Sequence, residues 1–118
     1  MLARRRNTPI DLSRSAALFA ALGDETRLRL VSRLASEGPS SITRLTEGSN
    51  VTRQAITKHL RSMEGAGLVR ATKQGREVVW ELEPRRLEDA RRHLATIASQ
   101  WDAALSRLKA FVEGPPAD

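Results

Sequence analysis

Cysteine is absent from these 118 residues and so is tyrosine; two tryptophans, two phenylalanines and two histidines are all the sequence holds of aromatic and imidazole chemistry. Without a thiol, disulfides, thiolate metal sites and a cysteine redox switch are excluded. No paired carboxylates with a histidine, no Ser-His-Asp set and no phosphate-binding glycine loop can be assembled, so an enzyme is not expected. No apolar run approaches the ~20 residues that span a bilayer, and Asp11, Ser13 and Arg14 interrupt any signal-peptide core after Met1 to Arg6. The expectation is a soluble, cytoplasmic protein with no membrane partner. Its length favours one domain with a modest core and no deep catalytic cleft.

What the chain does carry is localised positive charge. Lys and Arg number 20 against 14 Asp and Glu. Residues 1–82 hold 14 basic and 8 acidic side chains, residues 83–118 hold 6 of each, and residues 51–76 carry six basic residues against Glu64 alone. Such clustering is the footprint of a polyanion partner.

The stretch from Thr52 to Trp80 organises the rest. Thr52 can cap a helix, and Ile56, Leu60 and Met63 recur at i, i+4 and i+7, so they form one buried stripe. Arg53, Gln54, Thr57, Lys58 and Arg61 fall off that stripe and face outward, where such groups can bond base edges and phosphates. Gly65 and Gly67 supply a helix stop. Two short strands follow, Leu68 to Thr72 and Glu77 to Leu82, joined by a basic tip, Lys73-Gln74-Gly75-Arg76. A basic helix followed by a basic hairpin suggests a winged helix-turn-helix.

Upstream, residues 1–10 read as a flexible basic arm carrying Arg4, Arg5 and Arg6. A first helix from Asp11 to Leu22 has an apolar face of Leu18, Phe19 and Leu22. Asp24 caps a second helix, 25–37, with a stripe of Leu28, Val31 and Leu34 beside Leu30, ended by Gly38-Pro39. Ser40 or Ser41 caps a short third helix through Ile42 and Leu45, and Glu47 to Asn50 make the turn into the fourth. Residues 11–82 thus form the DNA-binding unit, mainly α with a small β-hairpin. Residues 83–113 form a long last helix whose apolar residues, including Ala90, Leu94, Ile97, Trp101, Leu105, Leu108 and Val112, recur with a period near 3.5. At 1.5 Å per residue a helix of about 29 residues would run about 43 Å, longer than its own domain can cover, so part of the stripe needs a partner. Residues 114–118 are expected to be a disordered tail.

At this point the residues resemble the ArsR family of winged-helix repressors, in its metal-independent branch. The carriers are ALGDETRLRLVSRL at 21–34, TRQAITKHLRSMEGAGLV at 52–69, GREVVWEL at 75–82 and WDAALSRLKAFVE at 101–113. The resemblance implies an α1-α2-α3-α4-β1-β2-α5 order. It also implies a homodimer joined by the first and last helices, and a double-stranded DNA operator whose occupancy represses nearby genes. The DNA-facing set is then Thr52, Arg53, Gln54, Thr57, Lys58 and Arg61 on the recognition helix, with Lys73 and Arg76 on the wing. Leu18, Phe19, Leu22, Leu94, Trp101, Leu105, Leu108 and Val112 are the expected dimer seam.

Metal-sensing members carry cysteines on the third helix, where this chain has Ser41-Ile42-Thr43-Arg44-Leu45. Their alternative site on the last helix pairs carboxylates with two histidines, and here only Asp89 and His93 are available. Two ligands fall short of a closed tetrahedral site, so neither metal nor cofactor is expected. No residue set identifies an effector. His59 matches a histidine that the family places in the recognition helix, where packing and DNA contact are both open roles. A winged-helix protein-interaction module working through the last helix is the competing function, and the basic outward face of helix four argues against it.

Overall fold

The computed structural model describes residues 11–114. The basic arm at 1–10 and the residues after Gly114 lie outside the described residues. In order, the elements are α1 (Leu12–Leu22), α2 (Glu25–Glu37), β1 (Ser40–Ser41), α3 (Ile42–Thr46), α4 (Arg53–Gly65), β2 (Val69–Gln74), β3 (Glu77–Leu82) and α5 (Pro84–Glu113).

Each helix before α5 starts on a capping side chain. Asp11, Asp24, Ser41 and Thr52 accept hydrogen bonds from the backbone N–H groups of Arg14, Arg27, Arg44 and Ala55, three residues on, which satisfies a donor with no partner inside the first turn. The carboxyl of Asp24 is held below its ordinary range, first by the Arg27 backbone N–H. α4 ends differently. Leu68 N donates to Met63 O at 2.9 Å and Gly67 N to Glu64 O at 2.9 Å, the paired bonds of a Schellman stop, with Gly67 at φ +80°. A side chain at Gly67 would also meet Arg86, whose Nε lies 2.8 Å from the position of its Cβ.

The sheet departs from the expected hairpin. It has three antiparallel strands in the order β1-β3-β2, because Ser40 and Ser41 pair with Trp80 and Val79. A two-residue strand has no periodicity to read, and Ser41 serves it and the α3 cap together. The wing tip is also tighter than expected. Lys73 and Gln74 continue β2, and Gly75-Arg76 alone make the turn, with Gly75 at φ +65°.

The core gathers Leu18 and Ala21 from α1, Leu30 and Leu34 from α2, Leu45 from α3, Ile56, Leu60 and Met63 from α4, and Leu68, Val69 and Trp80 from the sheet region. On α2 Leu30 and Leu34 are buried and Val31 packs against the core, while Leu28 is 50% exposed and drops out of the expected stripe. Ala90 is buried and Leu87 packs on the core, so the first turns of α5 belong to the same body as residues 11–82. From Ile97 onward every residue of α5 is exposed.

Candidate nucleic-acid interface

α3 and α4 form the helix-turn-helix, and the turn between them is clamped from α2. Arg33 Nη1 donates to the carbonyls of Leu45 and Glu47 at 3.0 and 3.1 Å, and its Nη2 to that of Arg44 at 3.0 Å. They lie where α3 ends and the turn begins; the Arg44 carbonyl also accepts from Glu47 N at 3.2 Å, so Arg33 adds a donor there and supplies one at Leu45 and Glu47. Arg33 also bonds Glu37, and that bond is the first cause holding the Glu37 carboxyl below its ordinary range. The 33–37 spacing is visible in sequence as an i, i+4 pair. The carbonyl clamp is not, because it depends on where the next helix lies.

Gln54, Lys58 and Thr52 are exposed along one side of α4, and Thr57 is half-buried. Thr57 Oγ1 donates back to Arg53 O at 2.9 Å, so its hydroxyl oxygen keeps acceptor capacity and its outward role is that of a short side chain beside Gln54 and Lys58. Arg53 Nη1 donates to Thr43 Oγ1 at 3.0 Å, which ties α4 to α3 on their outer faces. Arg61 donates to Glu64 at 3.2 Å, and its guanidinium lies 5.4 Å from the ring centroid of Trp80.

The six basic residues between 51 and 76 therefore divide. Arg70 bridges Glu81 and Glu83 at 2.9 and 3.0 Å, and the bond to Glu81 leads the effects that raise its pKa. Arg53 and Arg61 are partly engaged. Lys58, Lys73 and Arg76 are exposed and form no ion pair among the described residues. α4 thus presents an amide and an ammonium near its N-terminal half, and the wing presents two cations at and beside its turn.

The seam expected from the first and last helices splits too. Leu18 is fully buried in the core and has no surface left for a partner, which corrects its place in that seam. The reason is that α1 turns its Ser15-Leu18-Ala21 edge inward. Phe19 and Leu22 are half-buried against the core, and the Phe19 ring lies 5.6 Å from that of His93. Leu94, Trp101, Leu105, Leu108 and Val112 are 48–75% exposed on α5. Asp89 is paired with Arg86 at 3.3 Å, and among the described residues no group of three His, Cys, Asp or Glu side chains comes together as a metal site.

A helix-turn-helix domain family matches residues 22–71. The chain is 37% identical over 76 residues to an uncharacterised HTH-type transcriptional regulator, YuzN, of Bacillus subtilis, covering 58% of this chain and 83% of that one. It is 30% identical over 67 residues to the arsenic resistance transcriptional regulator ArsR1 of Pseudomonas putida, covering 57% of this chain and 52% of that one. Among solved structures, an ArsR-like transcriptional regulator from Rhodococcus sp. RHA1 superposes with a TM-score of 0.71 at 35% identity, covering 84% of this chain and 92% of that one.

Proposed function

Since the chain belongs to the ArsR family of winged helix-turn-helix transcriptional regulators, DNA-binding proteins as a class, we propose that it is a dimeric repressor of a palindromic operator. α4 enters the major groove, where Gln54 and Lys58 reach base edges and Thr57 sits beside them. Thr52, Arg53 and Arg61 lie toward the phosphates, and Lys73 with Arg76 hold the wing on the flanking backbone or minor groove. Two copies join along α5, which sets two recognition helices at a fixed spacing and so calls for a two-fold symmetric site. Occupancy of a site that overlaps a promoter then blocks transcription.

The observation that carries this reading is the pairing of two unsatisfied surfaces on one chain. The wing and α4 hold free cations, and α5 holds an apolar stripe of which Trp101 is 65% and Phe111 84% exposed. A stripe of that kind on a freely exposed helix is unfavourable in water and favours a partner. With no cysteine in the chain, the thiolates that soft arsenic chemistry would need are missing, so release of DNA by arsenite is not part of the proposal. Sequencing of genomic fragments that copurify with the protein, followed by footprinting, tests it. A symmetric site protected by two protomers is the expected result. A monomer that enriches no sequence would move the reading to a protein-interaction module acting through α5.

A further inference from the structure

Arg27, in the first turn of α2, is half-buried, yet its guanidinium forms no ion pair among the described residues. Its Nε donates to Ala21 O, the carbonyl near the end of α1, at 2.5 Å. Its Nη1 lies 3.2 Å from Nδ1 of His59, in the middle of α4. Arginine has five N–H donors and no acceptor, and it stays protonated in proteins. The contact therefore has one chemically allowed form: Nδ1 accepts through its lone pair, and the single imidazole proton sits on Nε2. That outer nitrogen is bonded by no protein group among the described residues and is not one of the buried, unpartnered nitrogens.

We propose that Arg27 is a positioning residue of the DNA interface, fixing His59 as its Nε2–H tautomer so that a neutral N–H donor points from α4 to a DNA phosphate. The inference rests on the reading of α4 as the recognition helix. Arg27 is suited to the task because the same side chain is held at both ends, by α1 and by α4. The Asp24 carboxylate caps the turn in which Arg27 sits, accepting from the Arg27 backbone N–H at 3.0 Å. A neutral donor differs from a lysine in one measurable way. Salt dependence of DNA binding counts the cations that replace counterions on phosphate, so a neutral imidazole contributes a hydrogen bond without adding to that slope.

The test begins with the free, full-length protein. Long-range proton–nitrogen NMR reads the protonated nitrogen of each histidine ring, and a His93→Gln variant assigns the two. A protonated Nε2 and bare Nδ1 at His59 are expected, with that signature lost in Arg27→Met, which keeps the aliphatic stem and removes the donor. A protonated Nδ1 in the wild type, or a signature indifferent to Arg27→Met, overturns the proposal whether or not the protein represses anything. On operator DNA recovered by copurification, His59→Ala should weaken binding up to ~10-fold, the scale of one hydrogen bond, at every salt concentration with an unchanged slope. Lys58→Ala should flatten the slope. Arg27→Met with His59→Ala should bind no more weakly than His59→Ala alone, and Arg27→Lys should recover part of the loss. Additive losses, or a His59→Ala variant that binds like wild type, overturn it. Failure of the wild-type protein to select any operator would instead count against the proposed function, leaving the free-protein spectra to decide the Arg27 contact.

Discussion

At the scale of single residues, what separates the cations of this surface is whether the chain has already satisfied them. Arg70 answers two carboxylates, and Arg76 answers none among the described residues. A phosphate contact is largely blind to base identity, so Arg76→Ala should weaken binding to all sites alike. Gln54 is the contrasting case. Its amide can bond an adenine edge, and Gln54→Ala should cost about 1–3 kcal/mol at one base pair and relax selectivity there. Binding titrations against a library of single-base operator variants separate the two; equal losses for Gln54→Ala on specific and random DNA would remove it from base readout. Asp24 gives a pH dependence of stability. Its carboxyl titrates below the about 3.9 of an unfolded chain, so its contribution is complete above that value and is lost as pH falls through the lower folded-state value. Asp24→Asn keeps a capping oxygen but not the charge. Its melting temperature should therefore fall less steeply than that of wild type as pH drops below about 4, and parallel curves would show that the cap does not titrate with folding.

Elements differ in how much of themselves they write into the sequence. The bounds of α2 and α4 are legible to the residue because cap and stop are local signals, Asp24 before 25–37 and Thr52 before 53–65, and on α4 the stripe of Ile56, Leu60 and Met63 is legible too. α5 announced itself through Pro84 and its long apolar period. β1 did not, since its two serines are strand only because Val79 and Trp80 come to lie beside them. For the same reason the Arg27 and Arg33 contacts, with partners 32 and 11 to 14 residues away, leave no local signal, and Leu28 lies outside the core because α2 has more apolar residues than its core face holds. In the candidate site the residue types were visible and their engagement was not; nothing local to Arg70 predicts Glu81 opposite it. Gly67 shows how a single position serves the joint between elements. It takes a left-handed backbone to stop α4, and the stem of Arg86, from the start of α5, lies over it. Gly67→Ala should cost about 1–2 kcal/mol from the backbone alone, because Arg86 can swing aside. That corresponds to a fall of several degrees in melting temperature, about 4–8 °C per kcal/mol in a domain of this size. An unchanged melt would mean that the turn relaxes to another helix stop.

For the whole molecule, α5 governs whether one reading head becomes two. Its first turns are bound into the core through Leu87 and Ala90, so a partner held by the rest of the helix is held rigidly to the DNA-binding unit. Trp101 stands in the protruding part, 65% exposed. Within a lone protomer its loss should therefore barely affect folding. Across a two-fold axis the substitution is made on both subunits at once, and each buried aromatic truncated to alanine costs about 3–5 kcal/mol. Trp101→Ala should then leave the fold intact while sedimentation shows monomers at micromolar concentration. Operator affinity should fall by orders of magnitude although no DNA-facing residue has changed, because two half-sites are no longer engaged by one rigid body. The affinity of a single half-site is the internal control and should be unaffected. If the variant stays dimeric with undiminished operator affinity, Trp101 lies off the seam, and the pairing of α5 has to run through Leu94 and Ile97 nearer the core. If it stays dimeric but loses the operator, α5 sets the angle between the two heads without supplying the energy that joins them.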